Sequence, residues 1–200
     1  TATERGVIVV AAAGNYVHTT VWPARYPEVI ALGATTPSGG RWRWSSVGSE
    51  IALAAPGGSV DCAAAGGDGR GLRRSSGTSF STALAAGAIA TWLSFHGRDR
   101  LLELYRPSGL AMAARRLLRE SAAKPALPGL GAGLLDLHAL LSIDPKLDEH
   151  AWFGQESIVR DEDEPRDDAA EQEQFFRSLG ELTGEDWRAL AAVHGVPVPT

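Results

Sequence analysis

Three stretches of this chain, residues 6–15 (GVIVVAAAGN), 29–35 (VIALGAT) and 51–57 (IALAAPG), are apolar almost without a break. A strand with one wet face alternates polar and apolar residues, because successive side chains point to opposite faces. Unbroken apolar runs read instead as strands buried on both faces, which belong to parallel sheets covered by helices. Pro56 and Gly57 stop the third run, and turn-rich loops such as TPSGGRWRW separate the strands. Two hundred residues hold one full-sized domain, or one domain with an appendage. The pattern predicts an α/β sandwich.

A buried, alanine-rich helix is expected from about Ser79 to Phe95. No Asp, Glu, Lys or Arg occurs between Arg74 and Arg98. A membrane span needs about 20 predominantly apolar residues, and residues 75–97 hold five Ser, three Thr and three Gly, so no span is expected. Residues 107–122 place Leu110, Ala113, Ala114, Leu117 and Leu118 on one helical face, with Arg115, Arg116 and Arg119 expected on the wet side. Residues 129–141 read as a glycine-rich turn leading into a short helix. Trp42 and Trp44 read as a partly buried hairpin pair.

Charge divides the chain. Residues 1–146 hold 15 Lys/Arg and 10 Asp/Glu, a net of +5, whereas residues 147–200 hold 4 Arg and 14 acids, a net of −10. A body over 1–146 and an acidic, partly helical tail over 147–200 are therefore expected. Within the tail, residues 161–173 carry eight acids and one Arg and read as a solvated linker. Residues 171–180 and 183–195 read as two short helices, the second starting at Thr183 and Asp186 and stopping at Gly195 and Pro197. Scattered arginines are a weak case for nucleic acid, and neither a nucleic-acid nor a membrane partner is expected. The single Cys62 cannot form an internal disulfide. With no signal-peptide pattern in the opening TATERG, this slightly favours the cytoplasm over secretion. Because that opening lacks a Met, the chain is expected to be a fragment or a processed product.

The chemistry centres on SSGTSFSTALAAG, residues 75–87. A serine hydroxyl is a weak nucleophile that needs a base for its proton and donors for the developing oxyanion. A helix N-terminus favours negative charge through its unpaired N–H groups and its dipole. Gly77 lets a substrate approach the backbone closely. Ser79 could otherwise be an ordinary N-cap, the commonest job for serine before a helix.

GTSFSTALAAG resembles the nucleophile motif of the subtilisin-like serine proteases, in which a Gly-Thr-Ser triplet opens a buried helix. GVIVVAAAGN resembles the same family's strand ending in the oxyanion-hole asparagine. YPEVIALGAT, SSVGSEIALAAPG and GLGAGLLDLHALL follow in the family's order, so the resemblance covers roughly residues 1–143. It implies the C-terminal part of a three-layer α/β/α sandwich with a mainly parallel sheet. It makes Ser79 the nucleophile and Asn15 the side-chain donor of the oxyanion hole, with the Ser79 N–H as second donor. Ala11, Ala12, Ala13 and Gly14 would wall the specificity pocket, and Gly77 and Thr78 would border the substrate. WPARYPEVI resembles a loop that in some members holds a cation through carbonyls; here no metal and no cofactor is expected.

Two departures stand out. Ala83 and Leu84 replace the family's usual Pro-His, a mild change. The family's catalytic Asp and His precede the asparagine, yet residues 1–14 contain neither. His18 is a poor substitute, with no Asp before it as orienter. Asp61 and Asp68 read as solvated turn residues, His96 as a helix-ending cation, and His138, His150 and His194 as surface residues. The reading is a subtilisin-type endopeptidase acting on polypeptides, present here without its Asp/His half and inactive alone. An inactive subtilase-like binding module, or one half of a split or nicked protease, are the alternatives.

Overall fold

The computed structural model describes residues 1–64, 71–123 and 127–146, together with Asp186, Arg188 and Ala189. The linker, most of the tail, Asp68, His150 and His194 lie outside the described residues. Within the tail, Asp186 accepts from the Arg188 N–H at 3.0 Å.

The three apolar runs form one parallel sheet in the order β1 (Val10–Ala12), β2 (Ile30–Thr35), β3 (Ile51–Pro56). Every residue of β2 and all but the last of β3 are buried, which is why neither alternates. A short 3-10 turn, Thr3–Arg5, precedes them. Helices α1 (Thr78–His96), α2 (Arg98–Ser121) and α3 (Leu137–Ser142) follow. On one face Ile30, Leu32 and Leu53 pack with Ala85, Ile89, Trp92, Leu101, Leu110, Leu118 and Leu140 from all three helices. On the other, Ala11, Ala13, Ala31, Ile51 and Ala54 lie under loop residues Ala24, Val29 and Leu130. Asp136 caps α3 by accepting from the Ala139 N–H at 2.9 Å. The α/β architecture with a parallel sheet is the expected one.

The two edges of the sheet differ. Residues 132–135 close the outer edge of β3: the Ala132 N–H donates to the Ala52 carbonyl (2.9 Å), the Ala54 N–H to Gly133 (2.9 Å) and the Leu135 N–H to Ala54 (2.8 Å). Among the described residues no strand pairs with the outer edge of β1.

Four details depart from the sequence reading. Where a loop is expected, β4 (Val60–Ala63) and β5 (Leu72–Ser75) pair as antiparallel strands. Asp61 is therefore a strand residue, and it accepts two hydrogen bonds from Arg74, at 2.8 and 3.1 Å. Helix α2 begins nine residues earlier than expected and breaks at Arg106 (φ 55°, ψ 161°), ahead of Pro107, whose ring disfavours α-geometry in the residue before it.

Helix α1 is buried along one side only, through Thr78, Ser81, Ala85, Ala88, Ile89 and Trp92. Its other side, with Leu84 and Phe95 (44% and 65% exposed), faces out. Composition suited to burial is thus left uncovered by the described residues.

Arg115 is not on the wet side. It is 9% exposed, donating from Nη1 to the Pro27 carbonyl (2.9 Å) and from Nη2 to the Glu50 carbonyl (3.2 Å). The loops before β2 and β3 present carbonyls that need donors, and α2 supplies them. Arg115→Met keeps the aliphatic stem and removes both bonds. It is expected to lower the unfolding free energy by about 3 kcal/mol, read from urea denaturation, with Arg115→Lys recovering only part.

His96 ends α1 against the rings of Trp92 (6.1 Å) and Phe95 (4.9 Å), with Nε2 buried and, among the described residues, without a hydrogen-bond partner. A cation there would suit the helix dipole, but burial dominates and holds its pKa below the ordinary value. Arg100 adds to this and Asp144 opposes it. With the folded-state pKa depressed, the unfolded chain binds more protons between the two pKa values. The contribution is complete above about pH 6.5 and is lost as pH falls from there through the depressed folded value. Thermal melts at pH 7.5 and 5.5 should show a fall in the wild type that His96→Gln reduces. An equal fall in both would show that other groups carry it.

Candidate active site

Parallel sheets place their ligand sites beyond the carboxyl ends of the strands. Here the carboxyl ends of β1 and β3 meet the N-terminus of α1. The Gly77 N–H donates to the Gly57 carbonyl, just past β3, at 2.7 Å. One turn into the helix, the buried Ser81 hydroxyl donates to the Ala55 carbonyl of β3 at 2.9 Å. These bonds seat α1 on the sheet before any substrate arrives.

Thr78 joins the helix to β1. The side-chain oxygen of Asn15 accepts from both the Thr78 N–H (2.8 Å) and the Thr78 hydroxyl (2.9 Å). The same hydroxyl accepts from the Gly14 N–H at 3.3 Å. With Oδ1 doubly engaged, the amide of Asn15 has one orientation, and its Nδ2 is the end turned toward Ser79. Nδ2 and the Ser79 hydroxyl lie 3.6 and 3.0 Å from the point where a side chain on Gly77 would begin. A Cβ there would crowd the Ser79 hydroxyl and touch the Asn15 amide, so glycine keeps this corner open.

Ser79 is exposed and is not the N-cap of α1. Gly77 holds that position and Thr78 is the first helical residue. Asn15, from β1's end, takes the capping role by satisfying the Thr78 N–H. Among the described residues the Ser79 hydroxyl engages no hydrogen-bond partner.

Gly14 has φ +117°, and a Cβ would meet the Ser46 hydroxyl at 2.8 Å and Val21 at 3.0 Å. Only glycine suits both that backbone and that gap. Ala11 and Ala13 turn their side chains into the core, so they border the site with backbone; Ala12 is half-buried.

Tyr16 follows Asn15 in the left-handed region (φ 69°) and donates its N–H to the Trp44 carbonyl at 2.7 Å. Its ring lies 6.0 Å from Trp42 and 5.4 Å from Trp44. Trp42 is buried and Trp44 half-buried, and they lie between two isolated bridges, Thr35–Arg41 and Asn15–Ser45, rather than in the expected hairpin. The Tyr16 contacts had no local signal in the sequence, because the partners sit 26 and 28 positions away.

The other titratable residues stay apart. His18 is exposed and makes no hydrogen bond to Ser79. The hydrogen bonds from Arg74 hold the Asp61 carboxyl below its usual range. His138 is exposed on α3. Among the described residues no three His, Cys, Asp or Glu gather as a metal would need. In the loop over residues 22–30 the Pro27 carbonyl accepts from Arg115, and the Arg25 guanidinium lies 3.9 Å from the Glu50 carboxylate.

Comparison with known proteins places the chain in a family. The Subtilase family model matches residues 1–140. Subtilisin NAT of Bacillus subtilis subsp. natto is 40% identical over 112 residues, covering 50% of this chain and 29% of that protein. Subtilisin BL of Lederbergia lenta is 34% identical over 140 residues, covering 69% of this chain and 47% of that one. The self-cleaved protease domain of PatA superposes with a TM-score of 0.57 at 33% identity, covering 68% of this chain and 49% of that domain. The chain thus spans less than half the length of each of these relatives. The chain belongs to the subtilase family.

Proposed function

We propose that this chain carries the nucleophile and the oxyanion hole of a subtilisin-type serine endopeptidase. The Ser79 Oγ attacks the carbonyl carbon of a peptide bond. Its proton passes to a histidine supplied by a segment outside these 200 residues, oriented there by an aspartate. The carbonyl oxygen takes the negative charge and is held by the Asn15 Nδ2–H and the Ser79 N–H. Collapse expels the amine, which takes the proton from the imidazolium, and water then releases the acyl group. The observation that carries this reading is the double engagement of the Asn15 Oδ1 by Thr78, which leaves a donor and not an acceptor beside Ser79. The exposed side of α1 and the open edge of β1 support a companion polypeptide as the source of the Asp and His.

A fluorophosphonate probe tests the proposal. The chain alone should label weakly and cleave no fluorogenic peptide. A soluble complex with a polypeptide carrying the family's Asp and His segments should label at Ser79. Strong labelling of the isolated chain would place a base within these residues. No labelling of a well-folded complex would remove Ser79 as nucleophile.

A further inference from the structure

Arg43 is exposed, and its guanidinium carbon stands 4.1 Å from the centre of the Trp44 ring. Trp44 in turn contacts Tyr16, the residue after Asn15. Asn15 and Ser45 pair as an isolated bridge, so residues 43–45 run directly beside the site. Among the described residues Arg43 forms no ion pair. Stacking on an indole fixes the plane of a guanidinium while leaving its N–H edge open. The adjoining stretch, residues 36–49, carries Arg41 and Arg43 and no acid. A cleft wall of one sign concentrates ligands of the other.

We propose that the Tyr16–Trp44–Arg43 shelf is a subsite for an acidic side chain of the polypeptide bound at Ser79. This rests on the reading of Ser79 and Asn15 as the reaction centre. The aromatic pair supports the substrate's aliphatic stem, and the oriented guanidinium takes the carboxylate through two parallel N–H···O bonds. Arg43 is a specificity-determining residue in this scheme, taking no part in bond breaking.

Two arms test it, with peptides identical except for Glu or Gln near the scissile bond. In the complex with the Asp/His-bearing polypeptide, kcat/KM should favour the Glu peptide by about tenfold at low salt. Arg43→Gln should bring that ratio near one, the Glu peptide losing about tenfold more than the Gln peptide. In the second arm the same complex carrying Ser79→Ala is titrated with each peptide, and affinity is read from fluorescence polarisation of labelled peptides. The Glu preference should appear there and vanish in the Ser79→Ala, Arg43→Gln double variant. Glu-selective binding that depends on Arg43, without turnover by the wild-type complex, would uphold the shelf and sink the catalytic reading. Turnover with equal rates for both peptides, or a Glu preference that survives Arg43→Gln, overturns the shelf. Absence of Glu-selective binding overturns it as well.

Discussion

In a complex that supplies the Asp and His, Ser79→Ala is expected to lower kcat by about 10^6-fold, the size of loss a subtilisin shows when its nucleophile is removed. The substitution deletes one oxygen from an exposed position, so α1 and its seat on β3 should be unchanged. Peptide affinity should therefore hold while turnover disappears. Asn15→Leu should cost about 10^2- to 10^3-fold in kcat with little change in KM, because the donor acts on charge that exists only in the transition state. It also removes the cap on the Thr78 N–H, so its melting temperature should be measured beside its rate. Thr78→Val keeps the branched shape and removes the hydroxyl that helps fix the Asn15 amide. It should lower kcat by about tenfold, and Thr78→Ser should recover most of it. An Asn15→Leu complex with unchanged kcat would end the oxyanion assignment.

What the sequence disclosed depends on how far away the cause lay. β2 and β3 were legible because burial on both faces leaves no polar residue to confuse them with anything else. Asn15, Thr78 and Ser79 were legible as types in an order. The orientation of the Asn15 amide was not, because it depends on a hydroxyl 63 positions later. Arg115 carries the same lesson: helical periodicity placed it among Arg116 and Arg119, and the carbonyls of Pro27 and Glu50 drew it inward. The β4–β5 pair left no apolar alternation because both its faces are largely wet. The exposed side of α1 reads as core by composition, and composition is blind to whether the covering element lies within the described residues.

The isolated chain is expected to self-associate, and a companion covering α1 and β1 should make it soluble. An open edge of a parallel sheet offers unpaired N–H and C=O groups to any extended chain. Beside it, Leu84 and Phe95 stand on a helix side with no Asp, Glu, Lys or Arg to keep other molecules off. Burying side chains of this size contributes about 1.5–3 kcal/mol each. Leu84→Lys and Phe95→Lys should therefore each shift the isolated chain toward monomer in analytical ultracentrifugation. Each should also weaken a companion's binding by about tenfold or more. A wild-type chain that sediments as a monomer and melts cooperatively without a companion would defeat the expectation. It would mean that the exposed side of α1 tolerates water by itself.

Arg115 has a consequence for where the chain could work. Its guanidinium stays charged at any pH a protein meets and is attached to α2, so its local concentration at the Pro27 and Glu50 carbonyls does not depend on the medium. That donor cannot be exchanged or diluted away. The loop behind the site should keep its shape in a strong chelator as well as in millimolar divalent salt, and its integrity becomes a property inherited from the helix instead of one borrowed from the surroundings.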